Sequence, residues 1–323
     1  MTVSVALAHL VGAAVLAVLA PYVLDRLPAR WSPRVVMTAW VSSIATTLAL
    51  LALSALTALL PDPPPAEQFV EALARCASAV LHALRDDFSQ LYGFGVVVAA
   101  AAVVARTAGS YVRHTRRSWR IQRLHRDVVA VVGSTEADTP DVLWIDHPYP
   151  MAYCVGGRSG FVVATSALKT DLSPEARAAV LAHEFAHLRS RHHRVVGFCD
   201  VMARALPLVP LFRRAPAAVS ALAEVDADMV AARTTSSAAV RAALTSIGAA
   251  GGSAAGGASP ALGGAHAGSA TRYRLRMLEQ ATTEPTAGRY ALAGMAPLAA
   301  SAMCAAMALP ALSLLVHGLT ASY

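Results

Sequence analysis

Ser173-Pro174-Glu175-Ala176-Arg177-Ala178-Ala179-Val180-Leu181-Ala182-His183-Glu184-Phe185-Ala186-His187 reads as a capped helix that carries chemistry on one face. Ser173 can accept from a free N–H at the helix start, Pro174 suits the first helical position, and Glu175 favours the positive helix end. The helix is expected to run to about Arg191, with Ala179, Val180, Ala182 and Ala186 on its inner surface. Residues four apart stack on a helix, so His183 and His187 present their imidazoles to one point. Neutral ring nitrogens suit zinc, and Glu184 is offset enough to reach a water on the metal instead of ligating it.

A third ligand is needed. Glu224-Val225-Asp226-Ala227-Asp228 lies on a helix expected over Ala218–Arg233, where Glu224 and Asp228 share a face. Glu224 is assigned to the metal. Asp228 is assigned to the second N–H of a ligating histidine, where it would set the tautomer, and Asp226 is expected elsewhere on the helix, in a surface or electrostatic role. Glu184 is the expected general base. Arg276 is the first choice for orienting acids or an oxyanion, with Tyr153 and Tyr273 behind it. His192 and His193 are expected at the helix end or along a cleft, and His266 in a loop.

The surroundings of this motif are apolar. Of 323 residues, 56% are hydrophobic and 15% charged, against about 25% charged in soluble domains. Val5–Leu24, Val35–Leu60, Phe88–Ala105 and Ala291–Leu319 contain no Asp, Glu, Lys or Arg. Each approaches the length that crosses a hydrocarbon core of roughly 30 Å. The first has no preceding basic residue and no clear cleavage site, so it is expected to be a retained helix, not a leader. Arg26, Arg30 and Arg34 mark the first loop, and Arg106, Arg113, Arg116, Arg117, Arg120, Arg123 and Arg126 follow the third segment. The intervening loop is acidic. The positive-inside rule then puts residues 106–289 in the cytoplasm and both termini outside.

The expected architecture is α+β: three membrane helices over 1–105, a cytoplasmic gluzincin-like zinc peptidase domain over 106–289, and a fourth membrane helix with a short tail over 290–323. Asp127–Val132, Val142–Ile145 and Phe161–Thr165 read as strands, the last able to pair with an extended substrate. Ala66–Asp87 reads as an external helix, and the arginines after 106 as an interfacial one. Val195–Phe212 reads as core, and Gly248–Gly268 as a loop. The net charge of +7 is concentrated beside a membrane segment, where anionic lipid accounts for it, so nucleic acid is not an expected partner. Cys76, Cys154, Cys199 and Cys304 have no metal or disulfide spacing.

His183, Glu184 and His187, with Glu224 and Asp228 downstream, resemble the BlaR/MecR-type integral-membrane zinc metallopeptidases, the antirepressor family. Val180–His193 also looks like the broader membrane gluzincins, including heat-shock protease and CAAX-prenyl-protease relatives. The three-before, one-after helix pattern favours the BlaR/MecR type. That resemblance implies cleavage of a cytoplasmic BlaI/MecI-like repressor, with a separate sensor or a homo-oligomer as further partners. It also implies an external penicillin-binding domain, whereas only a few residues follow Leu319 and no external Ser-x-x-Lys site is present. Direct beta-lactam sensing is therefore not expected. General turnover of membrane proteins and a silent scaffold are the alternatives.

Overall fold

The computed structural model describes residues 2–27, 31–59, 87–136, 139–156, 160–254 and 264–283. The expected external helix and the expected last span lie outside the described residues. Helices α1 (Thr2–Leu24) and α2 (Pro33–Leu59) pack along each other, as a short connection between two apolar helices favours. Among the described residues one helix, Pro33–Leu56, is long and apolar enough to cross a membrane, and half of its most apolar window is buried within the protein. His9–Leu24 is a shorter apolar stretch.

The third apolar segment and the basic stretch form one helix, α3 (Asp87–Val132), so no break in the backbone marks residue 105. This corrects the strand expected over Asp127–Val132. Its valines suggested a strand, but the preceding helix continues through them. Val129 alone turns inward, while Val128, Val131 and Val132 stay exposed. The N–H of Gly133 closes the helix on the Val129 carbonyl at 2.7 Å.

Four strands follow: β1 (Ser134–Glu136), β2 (Thr139–Ile145), β3 (Ala152–Val155) and β4 (Phe161–Thr165). Their order in the sheet is β1-β2-β4-β3; β2 and β4 run parallel and the outer pairs antiparallel. Strand β4 is thus paired on both sides and has no edge to offer a substrate, contrary to the expectation for Phe161–Thr165. The edges belong to β1 and β3, and β3 is the edge strand that lies along the helix carrying the two histidines. Strand alternation divides the faces. Val142, Trp144, Val162 and Ala164 pack toward the helices, while Val155 and Val163 form the opposite face with Val129.

After the short α4 (Ala167–Asp171) come α5 (Pro174–Arg189), α6 (His192–Ala205), α7 (Pro210–Thr234), α8 (Ser237–Ala254) and α9 (Gly264–Thr283). The Ser173 hydroxyl accepts from the Ala176 N–H at 3.2 Å, the cap that its sequence promises. Val195–Phe212 is split between α6 and the start of α7. Helical backbone reaches into the expected 248–268 loop from both ends, through Ala254 and from Gly264.

Two cores result. One joins the sheet to α5 and α8 through Leu168, Ala179, Val180 and Val240. The other joins the apolar hairpin to the following domain: Leu24, Trp40 and Ile44 pack with Cys199, Met202, Phe212 and Val219. The hairpin is therefore built into the fold. Phe212 is 0% exposed at this junction. Phe212→Ala should lower stability by about 3–5 kcal/mol, read as thermal unfolding of the detergent-purified chain; a loss below about 1 kcal/mol would mean that the two parts do not share a core.

Candidate metal centre

Helix α5 brings the His183 and His187 Nε2 atoms to 3.1 Å from each other. Helix α7 crosses beneath and places the Glu224 carboxylate 3.4 Å from each of them. These three ligand atoms form a group able to hold a metal ion. Two nitrogens and an oxygen bound to tetrahedral zinc would be separated by about 3.3 Å, so the spacing fits. The donor set fits as well. Two imidazole nitrogens facing each other at this distance, beside a carboxylate, are stable only with a cation or a proton among them.

Behind the ligands stand two acids, each held by an arginine. Asp228 is buried, and its Oδ1 lies 2.9 Å from His183 Nδ1. The oxygen lies off the line of the ring N–H, which leaves Nδ1 without a well-directed partner. Arg274 of α9 donates to both oxygens of Asp228, each at 2.6 Å, and its third nitrogen lies 3.1 Å from Glu224. Asp226 is also buried, with 2% exposure, so of the two roles expected for it the electrostatic one fits and the surface one does not. It accepts from Arg34 at 2.8 and 3.0 Å and lies 3.2 Å from His192 Nε2. His192 Nδ1 in turn lies 3.0 Å from His187 Nδ1.

Two expected residues are not at the centre. Arg276 is exposed. Two positions along a helix turn the side chain through about 200°, so Arg274 faces the site and Arg276 faces away. The buried pair Met277 and Leu278 marks the inner face of α9, and Arg274 lies one turn before it; that spacing was a usable sequence signal. Tyr153 is on the wrong face of β3. It packs with the Val129, Val155 and Val163 cluster and meets His125 edge-on at 5.6 Å. Its neighbour Cys154 points to α5, where its thiol and backbone N–H interact with Glu184. His193 rests against Gly156, at which a Cβ would come within 2.8 Å of the ring. Tyr273 is partly exposed, and the side chain of His266 lies outside the described ones.

The electrostatics follow from burial and these neighbours. Burial raises the Glu184 carboxyl above its ordinary range, His183 opposes the rise and Glu224 adds to it. For His183, burial disfavours the charged ring, but Asp228 and Glu224 outweigh it and bring the pKa up to about 9. Burial and the charge on His183 bring His187 down to about 4. Burial would raise Glu224, yet His183 and Arg274 bring it down to about 2.

Two outcomes follow. Ligation requires His183 to give up its Nε2 proton. Since that ring holds its proton up to about pH 9, zinc uptake near neutrality should release a proton. Affinity should then fall about tenfold for each pH unit of acidification, measured by chelator competition between about pH 6 and 8. An unchanged affinity over that range would contradict the proposed proton balance. Separately, Arg274→Ala should weaken zinc binding about 10–100-fold, whereas Arg276→Ala should leave it within about twofold; the reverse ranking would return Arg276 to the site.

Residues 115–247 match the family model described as peptidase family M48. No solved structure matches the chain. The matched stretch runs from within α3 to α8 and contains the complete ligand triangle and Glu184. The chain is an enzyme that carries, over residues 115–247, a zinc metallopeptidase domain of family M48 whose His183, His187 and Glu224 form a cluster able to hold the metal.

Proposed function

We propose that this enzyme is a multi-pass membrane endopeptidase that cuts a cytoplasmic regulatory protein, with a BlaI/MecI-like repressor as the candidate substrate. The observation that carries the peptidase chemistry is the partly buried Glu184 carboxyl beside the triangle of His183, His187 and Glu224. When bound, zinc supplies Lewis-acid activation of water and of the scissile carbonyl. Glu184 accepts a proton from the attacking water and delivers it to the leaving amine. Its raised pKa suits both transfers, because a more basic carboxylate takes the first proton more readily. Asp228 and Arg274 hold His183 and Glu224 in place meanwhile.

An extended peptide has one backbone edge available near this carboxylate. It would add to the free side of β3, where the Cys154 N–H already turns toward Glu184. The orientation across the membrane is supported by three ties. Arg34 bonds Asp226, Arg214 bonds Asp25 at 3.3 Å, and Arg106 donates to the Ala205 carbonyl at 2.9 Å. The basic turn after α1 and the start of the basic stretch thus lie on the same side as the catalytic helices, and that arginine-rich side is the cytoplasmic one under the positive-inside rule. The hairpin core shared with the peptidase helices also favours a second reading, turnover of damaged membrane proteins at the bilayer surface.

Glu184→Gln should keep zinc and lose about 10²–10⁴ in kcat. Comparing cleavage products of wild-type and variant proteins in cells distinguishes the substrates. One defined cytosolic product lost in the variant supports the regulatory role, many membrane-protein products support turnover, and identical products in both exclude Glu184 as the base.

A further inference from the structure

We propose that His192, Asp226 and Arg34 form a positioning line behind His187, through which the seating of the α1–α2 turn sets how tightly the centre holds its metal. This rests on the zinc reading of the site and adds the means by which the hairpin can regulate it.

The line is continuous and polar from end to end. Arg34 Nε lies 2.8 and 3.0 Å from the Asp226 oxygens, Asp226 Oδ2 lies 3.2 Å from His192 Nε2, and His192 Nδ1 lies 3.0 Å from His187 Nδ1. Both middle members are enclosed, His192 with 3% and Asp226 with 2% exposure. Such buried polar groups keep one arrangement only when each donor meets an acceptor.

Ligation by His187 Nε2 fixes the direction of every bond in the line. The proton of that ring must then sit on Nδ1, which donates to His192 Nδ1. His192 therefore carries its own proton on Nε2 and donates it to Asp226. Arg34 holds both carboxylate oxygens, so Oδ2 stays turned to His192. Withdrawing Arg34 frees the carboxylate to rotate and leaves the His187 ring without a fixed orientation.

The backbone is shaped for this contact. Continued helix would turn residue 192 about 140° away from residue 187. Instead Arg191 takes a left-handed conformation with φ 52°, the one positive φ at a non-glycine among the described residues, and α6 starts back toward His187. Such a conformation is unfavourable for a residue with a Cβ, and the packing of His192 holds it. Arg34 adds a bond to Ser190 Oγ at 3.3 Å, at the end of the ligand-bearing helix.

Arg34 stands at the second position of α2, the helix suited to crossing a membrane, and outside the stretch that matches the peptidase family. The peptidase domain thus depends on the hairpin for the outer support of one ligand. A rotation or withdrawal of α2 would loosen His187 and weaken the metal site while leaving His183, backed by Asp228 and Arg274, in place.

The test uses the full chain in detergent and reads zinc affinity by competition with a chromophoric chelator, together with Tm. Arg34→Gln alters a side chain that is 56% exposed, so folding survives, and its zinc affinity should fall about tenfold. His192→Leu should weaken binding about 10–100-fold. His192→Gln, which can accept from His187 and donate to Asp226, should recover most of that loss. Arg214→Gln is the control, because it breaks the ion pair that joins α7 to Asp25 of the same turn without touching the line. It should lower Tm and leave zinc affinity at the wild-type value. Wild-type affinity in Arg34→Gln, or equal loss in Arg214→Gln, overturns the proposal. Failure of the wild-type chain to bind zinc would instead end the metal reading of the centre itself.

Discussion

Two imidazole nitrogens and a carboxylate within 3.4 Å of one another repel unless positive charge stands among them, and much of the fold serves to hold them there against that repulsion. Helix α5 supplies two of the groups at a spacing of one turn. Helix α7 supplies the third, but only because a tertiary crossing brings it beneath α5. The sheet lines the other side of the site: β3 lies along α5, with Cys154 beside Glu184. The core under α5 and the core that seats α7 against the hairpin therefore convert packing energy into ligand spacing.

Behind each histidine of the cluster stands an aspartate held by an arginine, Asp228 directly behind His183 and Asp226 behind His187 through His192. Burying a carboxylate is unfavourable unless a charged partner and well-placed donors accompany it. For Asp228 the partner comes from α9, and for Asp226 from the start of α2. Neither arginine lies within residues 115–247. The catalytic helices thus take their charge balance from elements at both ends of the described chain. An apolar hairpin that shares a hydrophobic core with α6 and α7 has a polar connection to the centre as well, through Arg34 and Asp226.

Local patterns were legible wherever the chemistry is local. The Ser173 cap, the His183–His187 spacing, the Glu224–Asp228 spacing and the apolar runs of α1 and α2 each follow from rules that act within one or two turns. A local pattern misleads where it has two meanings. The valines of Asp127–Val132 suit a strand, but the long helix before them continues because only Val129 needs to be buried. Arg276 and Tyr153 were plausible by residue type, yet each sits one face away from the centre. Helical rotation separates Arg276 from Arg274, and strand alternation separates Tyr153 from Cys154.

From its residues alone this protein declares the two imidazoles, the adjacent carboxylate, the acidic pair downstream and the apolar helices around them, because periodicity and capping are properties of neighbouring residues. Tertiary structure alone decided that β3, not β4, has the open edge, since strand order depends on pairing between distant segments. It alone decided, too, that Arg274, Arg34, His192 and Asp226 complete the centre. Asp226 and Asp228 lie 34 to 192 positions from the histidine and arginines that meet them, and a buried charge finds its counter-charge by proximity in space, which no local spacing records.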